Sequence, residues 1–136
     1  MNSSQSLDSM SPSQLKKIVV GWHRLVLLSV FWVLAIVAAV FLVPPALAKP
    51  ESSIAVLLTV SVMLILLIAA IVGTMRKTSW GRVVGIIAAI VTMLAFPIGT
   101  IIGLLGLWGY ADAKPIFGPS GLAYSAVKAE ILRLKA

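Results

Sequence analysis

The chain has 136 residues, 60% of them hydrophobic and only 11% charged, with a net charge of +7 and no cysteine. That balance excludes a soluble enzyme, and the lack of cysteine excludes disulfides, thiolate metal sites and cysteine nucleophiles. Lys and Arg cluster at the ends of apolar runs, so the positive charge reads as cytoplasmic loops beside anionic lipid and not as a nucleic-acid surface.

Residues 1–10 are polar and serine-rich and read as a flexible tail. Ser11-Pro12-Ser13-Gln14 is a helix start: Ser11 caps, Pro12 suits the first helical position and Gln14 completes a capping box. Leu15, Ile18, Val19 and Trp22 follow at helical spacing, which predicts a short interfacial turn leading into a first membrane segment over 22–43. Pro44-Pro45 is expected to end it. Ala46-Leu47-Ala48 resembles a signal-peptidase site, but the apolar run before it is longer than the ~7–15 residues of a signal-peptide core. A second apolar segment, 54–74, carries no charge and matches the ~20 residues a span requires. Arg76, Lys77 and Arg82 follow it.

The stretch from Trp80 to Tyr110 has two readings. One is a single third span kinked at Pro97. The other is two short segments, 80–96 and 98–111, forming a hairpin that turns at Phe96-Pro97-Ile98-Gly99. Three crossings would divide the Lys and Arg residues almost evenly between the two sides. Four crossings place all of them except Lys49 on one side, which the positive-inside rule favours. The expected architecture is therefore an all-α integral membrane domain over 11–113 with four membrane segments. Small residues form two faces, Gly81, Gly85 and Ala89 on one arm and Gly99, Gly103 and Gly106 on the other, which a hairpin brings together. Trp22, Trp80, Trp108 and Tyr110 read as interfacial anchors. Lys16, Lys17, Arg24, Arg76, Lys77, Arg82, Lys128, Arg133 and Lys135 read as facing lipid headgroups. Residues 114–136 form a basic amphipathic tail in which Tyr124, Val127, Ile131 and Leu134 make a narrow apolar face.

Trp80-Gly81-Arg82, Phe96-Pro97-Ile98-Gly99-Thr100, Gly103 and Leu107-Trp108 resemble a pattern in small bacterial multi-span membrane proteins of uncharacterised function. There the segment reads W-A-R, an apolar arm, F-P-[IL]-G-T, then G-I-Y-x-L-W. The tyrosine of that pattern is replaced here by Leu104 or Leu105. The resemblance covers about the last third of the membrane domain; it implies four segments with a turn at F-P-I-G-T and carries no activity.

The acidic residues Asp8, Glu51, Asp112 and Glu130 all lie outside the apolar segments, which argues against proton or cation transport. No nucleophile and base stand in a recognisable arrangement, so no catalysis is expected. The sole histidine, His23, sits beside Trp22 and Arg24 and reads as interfacial. Axial ligation of chlorophyll or haem is its alternative role, and no cofactor is otherwise expected. The reading is a non-catalytic accessory or scaffold subunit of a larger complex in the bacterial inner membrane, multi-pass, with both termini cytoplasmic. Its partners are the lipid bilayer and other membrane subunits, met through glycine-faced helices. A self-associating holin-like protein and a pigment- or haem-binding subunit are the alternatives.

Overall fold

A computed structural model describes residues 7–46, 53–94, 97–118 and 121–136. Helix α1 is Pro12–Ala46, α2 is Ser53–Met75, α3 is Ser79–Met93, α4 is Ile98–Asp112 and α5 is Tyr124–Lys135, with a single 3₁₀ turn at Lys114–Ile116 between α4 and α5. By length and composition α1 and α2 can each cross a membrane, whereas α3 and α4 are shorter apolar helices.

The capping box at the start of α1 forms as expected. The Ser11 N–H donates to Gln14 Oε1 at 2.9 Å, and the Gln14 N–H donates to Ser11 Oγ at 3.4 Å. The expected interfacial turn is not a separate element, because α1 runs unbroken from Pro12. Nor does the helix stop at Pro44. Proline fixes φ near the helical value, so the backbone follows the helix through both prolines to Ala46 although their N–H bonds are gone. The flexible tail expected over 1–10 is corrected for its described part: Leu7 lies in a helical turn and is buried. Residues 1–6 lie outside the described residues.

The single kinked third helix is replaced by two antiparallel helices. Gly103 of α4 lies against Ala89 and Met93 of α3. Near the tip, Thr100 Oγ1 donates to the Met93 carbonyl at 2.8 Å. Leu94 and Pro97 belong to the turn; Ala95 and Phe96 lie outside the described residues. Helix α3 ends three residues before the expected end of the first arm at 96, while α4 begins at Ile98, where the second arm was expected to begin. Pro97 directs this, because it has no N–H to continue α3 yet its φ suits a helix start.

The four long elements form an up-and-down bundle in which α4 packs on α1, α3 on α2, and α3 on α4, while α1 and α2 touch sparsely. Both diagonals are closed by hydrogen bonds, Trp32 to Thr92 and Thr74 to Tyr110. The apolar core draws on Leu15, Ile18, Leu25, Leu28 and Trp32 of α1, Leu67 and Ala70 of α2, and Ala88 and Ala89 of α3. It occupies one end of the bundle only. Among the described residues none of α1 beyond Trp32 and none of α2 before Leu67 is buried. Leu34, Phe41 and Leu42 on α1 and Ile54, Leu58 and Ile65 on α2 are exposed apolar side chains. Helix α5 is not a free tail. It docks on α1 through the fully buried Val127, while Leu134 of its expected apolar face stays exposed.

Candidate functional site

The basic residues converge on the end of the bundle where α1 and α3 begin and α2 and α4 finish. Lys77, just after α2, adopts a left-handed backbone with φ of +54°. Its carbonyl accepts the Gly118 N–H at 2.8 Å, which ties the α2–α3 linker to the chain after α4. Its ammonium lies 4.8 Å from the ring centroid of Trp22 and 5.4 Å from that of Tyr124. The two rings are 6.0 Å apart. A cation placed against two ring faces is held by their quadrupoles, so Lys77 fastens α5 to α1.

Other charges at this end are also tied into the protein. Arg24 Nη1 donates to Asp112 Oδ2 at 3.0 Å, linking α1 to the end of α4, with both side chains about one-third exposed. Arg82 Nε donates to the Tyr110 carbonyl at 3.3 Å. Arg133 pairs with Glu130 at 2.8 Å and reaches Asp8 at 3.4 Å. Arg24, Lys77, Arg82 and Arg133 therefore bind protein groups and do not simply face headgroups. Lys16, Lys17, Arg76, Lys128 and Lys135 are exposed.

Two neutral polar contacts lie inside the bundle. Trp32 Nε1 donates to Thr92 Oγ1 at 2.9 Å, and that hydroxyl donates to the Ala88 carbonyl at 2.7 Å. The Thr74 and Tyr110 hydroxyls hydrogen-bond at 2.6 Å. Among the described residues no buried side-chain nitrogen or oxygen lacks a partner. That is the condition for polar groups surrounded by hydrocarbon. Both contacts join neutral side chains of diagonally opposite helices and so tie the bundle together.

The glycines bring helices together, but not on the two faces expected. Gly103 meets Ala89 across the hairpin. Gly81 instead faces Gly73 of α2, backbone on backbone, Gly85 accommodates the ring of Tyr110, and Gly106 receives the Leu28 side chain of α1. Gly99 is buried. Residues four apart advance by slightly more than one turn, about 40° on, so a row of glycines drifts from one neighbour to the next. Gly21 and Gly109, absent from the expected set, close α1 against α4: a methyl on Gly21 would stand 2.7 Å from Asp112 Cβ.

Trp80 and Trp108 are 50% and 53% exposed. Trp22 is half-buried beneath Lys77. Tyr110 is corrected: it is fully buried, its ring against Gly85 and its hydroxyl on Thr74. His23 is exposed, and its Nδ1 donates to the Val19 carbonyl at 2.8 Å. Among the described residues no three His, Cys, Asp or Glu side chains gather as a metal site. Sequence reasoning missed Trp32, Thr74, Thr92 and Gly73. The available signal was position: tryptophan and threonine inside apolar segments need a hydrogen-bond partner, found in Thr92 for Trp32 and in Tyr110 for Thr74, whereas nothing local marked Gly73.

Two of the surface recesses lie along α1. One, of about 280 Å³, lies at the basic end between α1 and the end of α4, lined by Gln14, Lys17, Asp112 and Lys114 over Ile18 and Pro115. The other, of about 340 Å³, follows the loose α1–α2 seam and is lined by Val26, Ser29, Val30, Val33, Leu34, Ile71 and Met75. Comparison with protein-family models, curated proteins and solved structures gives no match for this chain.

Proposed function

We propose that this chain is a non-catalytic scaffold or accessory subunit of an assembly in the bacterial inner membrane. Helices α1 and α2 cross the bilayer, and the α3–α4 hairpin enters and leaves on the cytoplasmic side, as do both termini. The charge distribution supports this orientation, since the basic residues around α1, α3, α4 and α5 gather at one end. Arm length supports a hairpin that turns within the bilayer in place of the two further full crossings expected from the charge count. Each arm has 15 residues, about 22 Å of helix against a hydrocarbon core of ~30 Å.

The observation that carries the subunit reading is the open α1–α2 seam. The glycine faces and interior hydroxyls close the bundle on itself, which removes them as contacts for another subunit. The seam stays unpacked and almost wholly aliphatic, and Ser29 in its wall already donates to the Leu25 carbonyl. A single apolar helix of a partner subunit fits such a groove. A photo-crosslinking residue at Val30, in the groove, is expected to capture another membrane chain in native membranes. The same residue at Ile101, on the exposed flank of α4, is expected to capture none. If neither position crosslinks and the protein extracted in mild detergent migrates alone, the subunit reading is wrong.

A further inference from the structure

Four helices pack at the basic end, and only two continue beyond the hairpin tip. Trp32 meets Thr92 one turn short of that tip, so the packed level ends there. Ile36 and Leu66 still pack against the core; beyond them α1 continues from Val37 to Ala46, and α2 reaches back from Ile65 to Ser53. These stretches are about 15 and 20 Å long.

The tip suits a dry environment. Leu94 is 82% exposed and Ile98 64%, with no charge nearby. Pro97 has no N–H to leave unsatisfied, and the Thr100 hydroxyl covers the Met93 carbonyl. A turn that reached water on the far side would not need these features; one ending in hydrocarbon does.

From this shape, and resting on the membrane reading above, we propose that the protein is a wedge that partitions into membrane convex toward its cytoplasmic side. At the hairpin level it occupies two more helix cross-sections than it does beyond the tip. With helices about 10 Å across, that difference is on the order of 150 Å². Lipid on the cytoplasmic side is pushed apart, while lipid on the far side closes over the tip. Bending toward the hairpin side relieves the mismatch. Helix α5 adds to the same side. It exposes Leu132 on the face that carries Lys128 and Lys135, the arrangement by which a surface helix inserts shallowly between anionic headgroups. A partner helix in the α1–α2 seam would run through both leaflets and leave the asymmetry in place.

The test uses the full chain, fluorescently labelled and reconstituted into unilamellar vesicles of phosphatidylcholine and phosphatidylglycerol with a broad range of diameters. Only molecules whose C-terminus is open to external protease are scored, so that the basic end faces the convex surface. Density per membrane area is expected to be about threefold higher on the smallest vesicles than on the largest. Leu94→Cys introduces the only thiol of the chain; a membrane-impermeant maleimide is expected to label it from neither side. Sorting together with an unreactive thiol supports the proposal. Labelling from the far side shows a crossing hairpin, which overturns both the topology and the wedge. An unreactive thiol with density independent of diameter leaves the topology standing and overturns the wedge alone.

Discussion

Gly81→Ala tests the backbone contact on which α2 and α3 cross. A methyl at this position would overlap Cα, C and O of Gly73, and none of these atoms can swing aside as a side chain can. The helices cannot simply separate at this point. The linker between them is held by the Thr78 N–H and hydroxyl, both donating to the Gly73 carbonyl at 3.2 Å, and by the Gly81 N–H donating to Thr78 Oγ1 at 3.1 Å. To restore ordinary contact α3 must withdraw by roughly 1 Å, which forfeits up to about half of each 0.1–0.2 kcal/mol contact. Over roughly 30 atom pairs at the crossing this comes to about 2 kcal/mol, within the usual range for overpacking. Strained linker hydrogen bonds add about 1 kcal/mol, and alanine's better helix propensity returns about 1 kcal/mol. The net loss is about 2 kcal/mol. Gly106→Ala is the control, because its methyl meets only the end of the flexible Leu28 side chain. That variant should lie within about 1 kcal/mol of the parent. Equilibrium unfolding in mixed micelles, followed by circular dichroism, reads both. If Gly81→Ala proves as stable as Gly106→Ala, the argument from backbone contact fails.

Trp32→Phe removes the indole donor to Thr92 while keeping most of the ring, and should destabilise the bundle by about 0.6–1.7 kcal/mol in the same assay. Lys77→Asn keeps a residue that tolerates the left-handed backbone but removes the cation between Trp22 and Tyr124. It should weaken α5 docking by about 0.5–1 kcal/mol, seen as faster proteolysis between α4 and α5 with unfolding of the membrane helices nearly unchanged. Thr100→Val keeps the shape of the side chain but leaves the Met93 carbonyl at the tip uncovered. A loss of about 1–2 kcal/mol is expected in lipid bicelles, and a smaller loss in detergents that admit water to the tip; equal losses in both would place the tip in water.

Local signals in the sequence marked most of the elements. The capping box at Ser11, the apolar length of the second segment and the Pro97 break each follow from the chemistry of a few neighbouring residues, and each placed an element boundary to within a turn. Pro44-Pro45 misled because proline's φ permits the last turn of a helix even as its missing N–H weakens it. The helix partners were far less legible. Gly81 and Gly103 look alike in sequence, yet one faces α2 and the other α3. The difference depends on how far each helix has rotated and on which neighbour that rotation presents, and both are set by the whole bundle. Tyr110 shows the same limit. Beside Trp108 at the end of an apolar run it has every local mark of an interfacial anchor. What buries it is the absence of a side chain on Gly85 and the hydroxyl of Thr74, residues 25 and 36 positions away along the chain. The Arg24–Asp112 pair was equally hidden, since its partners are 88 residues apart.

The tie at Lys77 has a bearing on biogenesis. It collects Trp22, Lys77, Gly118 and Tyr124, residues from four successive stretches of the chain. During synthesis these emerge in order, so on the topology proposed above α1 and α2 can be integrated as a pair long before Tyr124 exists. On that topology the hairpin can tuck in beside them from the side on which the ribosome sits, without passing any charge through the lipid. Only when Tyr124 has left the exit tunnel can its ring close over the lysine. The latest of these four stretches to be translated thus acts as a clasp on the bundle, and a product lacking it would present an unfastened basic end to the proteases that survey newly made proteins.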